Sequence, residues 1–359
     1  MKQVELNPER ADAFGERMVD ILNAGALAHM ISIGHQTGLF DTLAVLPPAT
    51  SGQVAEAAGL NERYVREWLN AMTTGRVVDY DPAAQAYALP AEHAQFLTRA
   101  AGSNNVGIYT QHISSIGAVE AQIVDCFYNG GGVPYEAFTR FHEVMAEDSN
   151  ANIVSALLDD ILPLVPGLMA RLEAGIRVLD IGCGRGHALN VMARAFPNSQ
   201  FSGYDLSAEG IAYAQQEAAA WGLQNVHFAV QDMTTFAETN RYDLITAFDA
   251  IHDQAFPARV LCHIHRALKA DGAFLMQDIA ASSHVHENVD QPFSPFLYTV
   301  STMHCMTVSL AQGGEGLGTM WGREMAQQLL AEAGFRDVTI QQLPHDPMND
   351  YYVSYPSHA

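Results

Sequence analysis

The densest group of residues able to do chemistry lies in the middle of the chain. The run Val178-Leu179-Asp180-Ile181-Gly182-Cys183-Gly184-Arg185-Gly186 reads as a buried strand entering a glycine-rich turn and then a helix. Gly182 and Gly184 let the backbone approach a ligand closely and take dihedral angles that other residues avoid. A GxGxG turn is a weak motif alone, and two acidic positions downstream strengthen it. Asp205 ends the next strand, 23 residues after Gly182. A carboxylate in that place accepts hydrogen bonds from the two ribose hydroxyls of an adenosine. Asp232 and Met233 come after the third strand, where an acid can hold an adenine amino group while its apolar neighbour packs on the ring.

The elements that must position these groups can be read from the hydrophobic pattern. Strands are expected at Ile176 to Ile181, Phe201 to Leu206, Val226 to Val230, Tyr242 to Phe248 and Ala273 to Ile279, with helices near 187–196, 207–222 and 255–269 between them. Alternation of this kind makes a mostly parallel sheet with helices on both faces. The end differs: a helix at 322–333 leads to Val338 to Leu343 and then Tyr351 to Tyr355 with no helix between, so those two strands should pair antiparallel. Upstream, residues 8–46 read as helical, and Ala24 to Gly34 is apolar all round, which implies burial in a core or against a second subunit. Ser51 should cap a short helix ended by Gly59, and Asn61 a second helix carrying Val65, Trp68, Leu69 and Met72. Val77 to Tyr80 and Tyr87 to Leu89 flank a turn at Asp81-Pro82, which completes a winged helix. The expected division is an N-terminal domain over 1–150 and a catalytic domain over 151–359.

Composition restricts the functions open to this chain. Its 359 residues are 48% hydrophobic and carry a net charge of -22, with only 18 Lys and Arg. Phosphate binding needs clustered cations, so the acidity argues against nucleic acid and against an anionic membrane as partner. The would-be recognition helix of the winged helix carries Glu62, Arg63, Arg66 and Glu67, with no net positive charge, so dimerisation and a lid are better roles for that domain than DNA reading. The N-terminus has no apolar core for secretion, and no stretch suits a transmembrane helix. Cys126, Cys183, Cys262 and Cys305 are far apart with no CxxC pair, so neither a zinc site nor a disulfide framework is expected and a reducing cytoplasm fits. His284 and His286 lie near Glu287 without an evident third ligand.

The segments VLDIGCGRG, GYDLS, QDM and YDLITAFDAIHD resemble the successive motifs of class I S-adenosylmethionine (SAM)-dependent methyltransferases over residues 176–280. A dinucleotide dehydrogenase is the rival Rossmann reading, but it usually has GxGxxG, and here the sixth position is His187. The whole chain resembles a narrower group of methyltransferases with an N-terminal winged helix, through MISIGHQTGLFD, HCMTVSLAQGGEGLGTMWG and HDPMNDYYV; plant-type small-molecule O-methyltransferases share that architecture. The resemblance implies an α/β fold, a Rossmann-like sheet of seven strands with the last antiparallel, a helical winged-helix dimerisation domain, a homodimer, and SAM as cofactor. It places the cofactor at Asp180, Gly182, Gly184, Asp205, Leu206, Asp232, Met233 and Phe248, with Asp180 on its methionine part.

His252-Asp253 stands where the plant-type enzymes have an HD pair whose histidine takes the acceptor's proton, although Gln254 replaces the aromatic that normally comes next. His252 and His304 are therefore the catalytic candidates, with a helix-capping or supporting role as the alternative for His252 and a satisfied core position for His304. The acceptor, a small O, S or N nucleophile, should meet Asp249 at the fourth strand, Tyr298, Met303 and Cys305 in the insertion 290–321, and Asn349 near the end. Tyr109 and His112 from the N-terminal domain should close over it. Gly313, Gly314, Gly316 and Gly318 suggest a mobile or tightly turned flap. Other classes remain open: a SAM-sensing winged-helix regulator, or a SAM-dependent enzyme on the same scaffold that does not methylate.

Overall fold

The computed structural model describes residues 6–356. Contacts divide the chain into two compact units at Ser114/Ser115, upstream of the boundary expected at residue 150. The reason is close packing. Gly132 lies against the backbone of Thr307 and Leu310, where an added Cβ would meet the Thr307 carbonyl at 2.0 Å. Val133 N–H donates to Thr307 Oγ1 at 2.8 Å, and Val119, Ile123, Phe138 and Phe141 share a core with Val308. Residues 115–150 therefore belong with the second unit.

In the first unit, a long helix Pro8–Gln36 is capped by Asn7 and started by a proline. Helices Ser51–Ala58 and Glu62–Thr74 and the two-stranded wing β1 (Asp79–Asp81) and β2 (Ala86–Ala88) come next. Thr50, not Ser51, caps the first of these helices, because its hydroxyl accepts from Gln53 N–H while the Gln53 side chain returns to the Thr50 backbone. Gly59 takes the left-handed conformation that ends that helix. Val65, Trp68, Leu69 and Met72 recur at helical spacing and are all buried, so one face of Glu62–Thr74 makes the core of the winged helix. The run Ala24 to Gly34 is covered only in part: Ser32 and Gly34 are buried, but Ile33 is 46% exposed.

The second unit holds a sheet of seven strands in the order β5-β4-β3-β6-β7-β9-β8. Its strands are β3 (Arg177–Ile181), β4 (Gln200–Asp205), β5 (Val226–Val230), β6 (Tyr242–Phe248), β7 (Leu268–Ile279), β8 (Phe335–Leu343) and β9 (Asp346–Pro356). β3 through β7 run parallel, and β9 is antiparallel to both neighbours because a tight turn, with no crossover helix, joins it to β8. Neighbouring residues on each strand face opposite sides, which builds two cores. Val178, Leu244, Leu275 and Tyr351 pack with Leu189, Met192 and Ile211 on one face. Leu179, Ile245, Phe274 and Tyr352 pack with Val260, Leu261, Ile264 and Leu330 on the other. The insertion 290–321 is mostly helix, with Ser294–Val300, a π turn over Ser301–Cys305, and Met306–Ala311. Its glycines are a packed turn: an added Cβ would strike the Ala255 backbone from Gly314 and Leu310 from Gly316.

Candidate active site

The carboxyl ends of β3, β4, β6 and β7 meet at one edge of the sheet, where ligands of open α/β folds sit. The turn after β3 needs glycine for two reasons. Gly182, Gly184 and Gly186 have φ of 67°, 52° and 68°, a region that side-chain-bearing residues avoid. At Gly182 and Gly186 there is also no room, since an added Cβ would meet Ala250 at 2.4 Å or Ala214 and the Phe228 ring at 2.6 Å. At Gly184 nothing lies within 4 Å, so that part of the turn faces open space.

Asp205 locks the turn. Its Oδ2 accepts from Gly184 N–H at 2.8 Å and its Oδ1 from Ser207 N–H at 2.8 Å, the latter at the start of helix Ala208–Ala220. Each oxygen keeps acceptor capacity beyond these bonds. Asp180 is buried at the end of β3 and accepts from Thr246 Oγ1 at 2.7 Å; burial raises its carboxyl to about 7 despite that hydrogen bond. A buried acid with one hydrogen-bond donor suits a cationic ligand group. Asp232 caps the turn after β5, accepting from Thr234 N–H and Oγ1. The side chain of Met233 lies in the core, 3% exposed, and its carbonyl accepts from His263 Nδ1. Leu206, 48% exposed beside Asp205, is the apolar side chain left uncovered there. Phe248 packs against the first core. A glycine cradle facing open space, a ribose-type carboxylate and a buried acid thus fit SAM.

The acceptor side is built around His252, which is 2% exposed. Its Nδ1 donates to Asp278 Oδ1 at 2.8 Å, at the end of β7. The same Asp278 oxygen accepts from Ile279 N–H and from Trp321 Nε1, each at 2.9 Å. His252 Nε2 lies 3.2 Å from Asp253 Oδ1, and Nδ1 is 3.8 Å from Asp249 Oδ1. Burial alone would push the imidazole down, but Asp278 and Asp253 outweigh it and hold it well above its ordinary value. Both nitrogens therefore face carboxylates, which orient the ring. Asp249 sits in the left-handed region at φ 53°, and burial raises its carboxyl to about 7. Cys305 is buried beside this group, and its thiol is pushed up to about 12 by burial and the Asp253 charge.

His304 is fully buried and stacks on Phe141, ring centroids 3.7 Å apart, with Tyr135 and Phe138 edge-on. That is the surrounding of a packed core ring. Tyr298 OH accepts from Asn288 Nδ2, Met303 is half-buried, and Asn349 donates to both oxygens of Asp346 while pairing in register with Ile279. Tyr109 and His112 lie in the first unit, His112 buried and Tyr109 half-buried. Three groups escaped the sequence reading. Asp278 and Trp321 support His252 from strand and insertion, and the segment 135–142 brings Tyr135 under the charges of Asp253 and Asp205 and His142 under that of Asp205. A DI pair ending a strand was the only available signal for Asp278; nothing in spacing marks the others.

Sheet order, glycine turn and carboxylates together define a class I methyltransferase domain. Residues 172–342 match the family model of a methyltransferase domain, and residues 25–99 match that of the Rv2258c-like winged HTH domain. The chain therefore carries a winged HTH domain and, after it, a methyltransferase domain of class I fold, which supports SAM-dependent methyl transfer. It is 26% identical over 145 residues to (S)-coclaurine N-methyltransferase of Papaver somniferum, covering 39% of this chain and 41% of that protein. It is also 26% identical over 171 residues to trans-aconitate 2-methyltransferase of an Acidovorax strain, covering 47% and 62%. The chain thus matches less than two thirds of the length of these relatives. Human N-acetylserotonin methyltransferase in complex with SAM has the same fold, with a TM-score of 0.67 at 16% identity and 100% of both chains covered.

Proposed function

We propose that this protein methylates a small-molecule O, S or N nucleophile bound beside His252, with SAM as donor. The observation that carries this reading is the placement of His252, Asp278, Asp249 and Cys305 at the same sheet edge as the Asp205–Gly184 turn. When bound, SAM supplies a methyl group already activated on a sulfonium. Asp205 orients the ribose while holding its own turn, Asp180 meets the cationic amino end, and Leu206 covers the adenine. Asp278 and Trp321 fix the His252 ring, so that the ring and its carboxylates orient the acceptor and relay its proton. Tyr298, Met303 and Asn349 are proposed as the acceptor's further surroundings, and His304 as a packing residue that holds the 135–142 segment.

The experiment is product mass after incubation with methyl-labelled SAM and a panel of thiols, thioethers, phenols, amines and carboxylic acids. Label on one acceptor class supports the reading. Tight SAM binding with no labelled product from any class, together with DNA retention at physiological salt, favours a SAM-sensing regulator instead. The recognition helix speaks against that outcome, since Arg63 and Arg66 are paired with Glu67 and Glu62 on its own surface.

A homodimer is part of the proposal. Phe14, Met18, Ile21 and Leu22 recur at helical spacing and are 64%, 47%, 49% and 72% exposed on the first helix, an apolar stripe that a second copy would cover. Among the described residues no single helix is long and apolar enough to cross a membrane, and a cytoplasmic location is proposed with the reduced cysteines.

A further inference from the structure

We propose that His252, Asp253 and Cys305 form a binding site for one divalent transition-metal ion of the zinc class, with Asp278 orienting the imidazole and the remaining coordination position left for a thiol or hydroxyl of the acceptor. The assignment of that last position rests on the reading of this edge as the acceptor site; the ion site itself does not. The three donor atoms, one each of nitrogen, oxygen and sulfur, all lie within 4.8 Å of one another. Zinc bonds of about 2.0–2.3 Å in a tetrahedral arrangement set donor atoms roughly 3.3–3.8 Å apart, and His252 Nε2 and Asp253 Oδ1 already stand at 3.2 Å.

The support around the ring matches what a metal-bound imidazole needs. A histidine that binds a metal through one nitrogen usually donates its other N–H to a carboxylate, which fixes tautomer and orientation. Here Nδ1 donates to Asp278, a fully buried carboxylate itself held by Trp321 Nε1 and Ile279 N–H, and this leaves Nε2 for an ion. Independent support comes from orphaned acceptors: Asp253 Oδ1, for all its closeness to Nε2, and Asp278 Oδ2 are buried with no hydrogen-bond partner among the described residues. Buried carboxylate oxygens rarely go unsatisfied. Asp253 and Asp278 also leave the group with a net negative charge even when the ring is protonated, which a dication offsets. A mixed nitrogen, oxygen and thiolate set suits zinc, and three protein ligands with an open position are the pattern of a reactive rather than a structural site. An ion there would hold a thiol acceptor as its thiolate, with the proton released to solvent. The sequence hides the site because Cys305 lies in the insertion, far along the chain from the HD pair.

The test uses the full chain after dialysis against a chelator, titrated with Zn2+ by calorimetry and with Co2+ by absorption. One ion per chain is expected, with a thiolate-to-cobalt charge-transfer band. Cys305→Ser should remove the band, and His252→Ala should weaken binding by at least about 100-fold, while Asp278→Asn weakens it roughly 10–100-fold. Cys126→Ser and Cys262→Ser should leave it unchanged. SAM binding measured in parallel shows that each variant is folded; where a variant loses it, the wild-type cobalt spectrum decides. Absence of binding, absence of the thiolate band in the wild type, or binding that persists in Cys305→Ser and His252→Ala overturns the proposal. Methyl transfer with no metal binding would overturn the ion site alone and leave the methyltransferase reading intact.

Discussion

Asp180 and Asp205 are both carboxylates at strand ends, yet their surroundings give them different tasks. Asp205 is committed to two backbone N–H groups. Asp180 has one hydroxyl donor and is buried, which raises its carboxyl from 3.8 to about 7. A raised carboxylic acid stays protonated in the folded, ligand-free protein over the range below about pH 7 in which the unfolded chain has already ionised, so its contribution to stability is lost as pH rises from the unfolded value through about 7. Asp180→Asn should therefore raise the melting temperature of the ligand-free protein, with a gain that grows from about pH 4 to about pH 7 and amounts to roughly 1–4 kcal/mol; an equal gain at every pH in thermal scans would contradict this. The sign reverses for SAM affinity. A cationic amino group needs the ionised acid, so affinity should fall up to about tenfold per pH unit below 7 in the wild type, and this slope should vanish in Asp180→Asn. Calorimetry across pH checks both. His252 shows what type and position leave open: the HD pair fits a base or a supporting residue, and the folded site sets its two ring nitrogens beside Asp278 and Asp253.

The glycine turn is the element on which the cofactor reading depends, and its members separate packing from ligand space. Gly186→Ala forces a Cβ into Ala214 and the Phe228 ring at 2.6 Å with φ at 68°, so it should destabilise the fold by roughly 2–4 kcal/mol. Gly184→Ala meets no atom within 4 Å and should cost only about 1–2 kcal/mol of backbone strain, yet it should abolish SAM binding, because the methyl group enters the ligand's space. Chemical denaturation and SAM titration on the two variants test the contrast, and SAM affinity preserved in Gly184→Ala would remove the turn from the cofactor site. The strands and helices of this region were legible because period-2 and period-3.6 patterns are strong there. The insertion was less so: its run of glycines reads as either a mobile or a tightly turned flap, and only contact with Ala255 and Leu310 selects the packed turn.

At the scale of the whole molecule the unexplained feature is apolar surface. Phe14 and Leu22 on the first helix are 64% and 72% exposed, and Phe127 and Tyr128 on helix Glu120–Asn129 are 77% and 84% exposed. Side chains of this size left in water point to association. Sedimentation equilibrium should show a dimer, and Phe14→Asp with Leu22→Asp should shift it to monomer; a wild-type monomer at micromolar concentration would end that proposal. The net charge of -22 bears on the same scale, since phosphate contacts need clustered cations: the protein should not be retained on DNA at physiological salt, and retention in a gel-shift assay would reopen the regulator reading.

By itself the sequence determined the fold class, the antiparallel last strand, the winged helix and the cofactor turn, because each arises from local periodicity and from glycines and carboxylates at fixed spacing within one strand–turn–helix unit. What only the tertiary structure decided depends on distance in space without a signature in spacing. Residues 115–150 join the catalytic unit because Gly132 and Val133 pack on Thr307. Asp278, Trp321, Asp253 and Cys305 surround His252 because β7, the turn after β6 and the insertion converge at one sheet edge. Chain order does not encode that convergence; burial of the two cores that flank the sheet does.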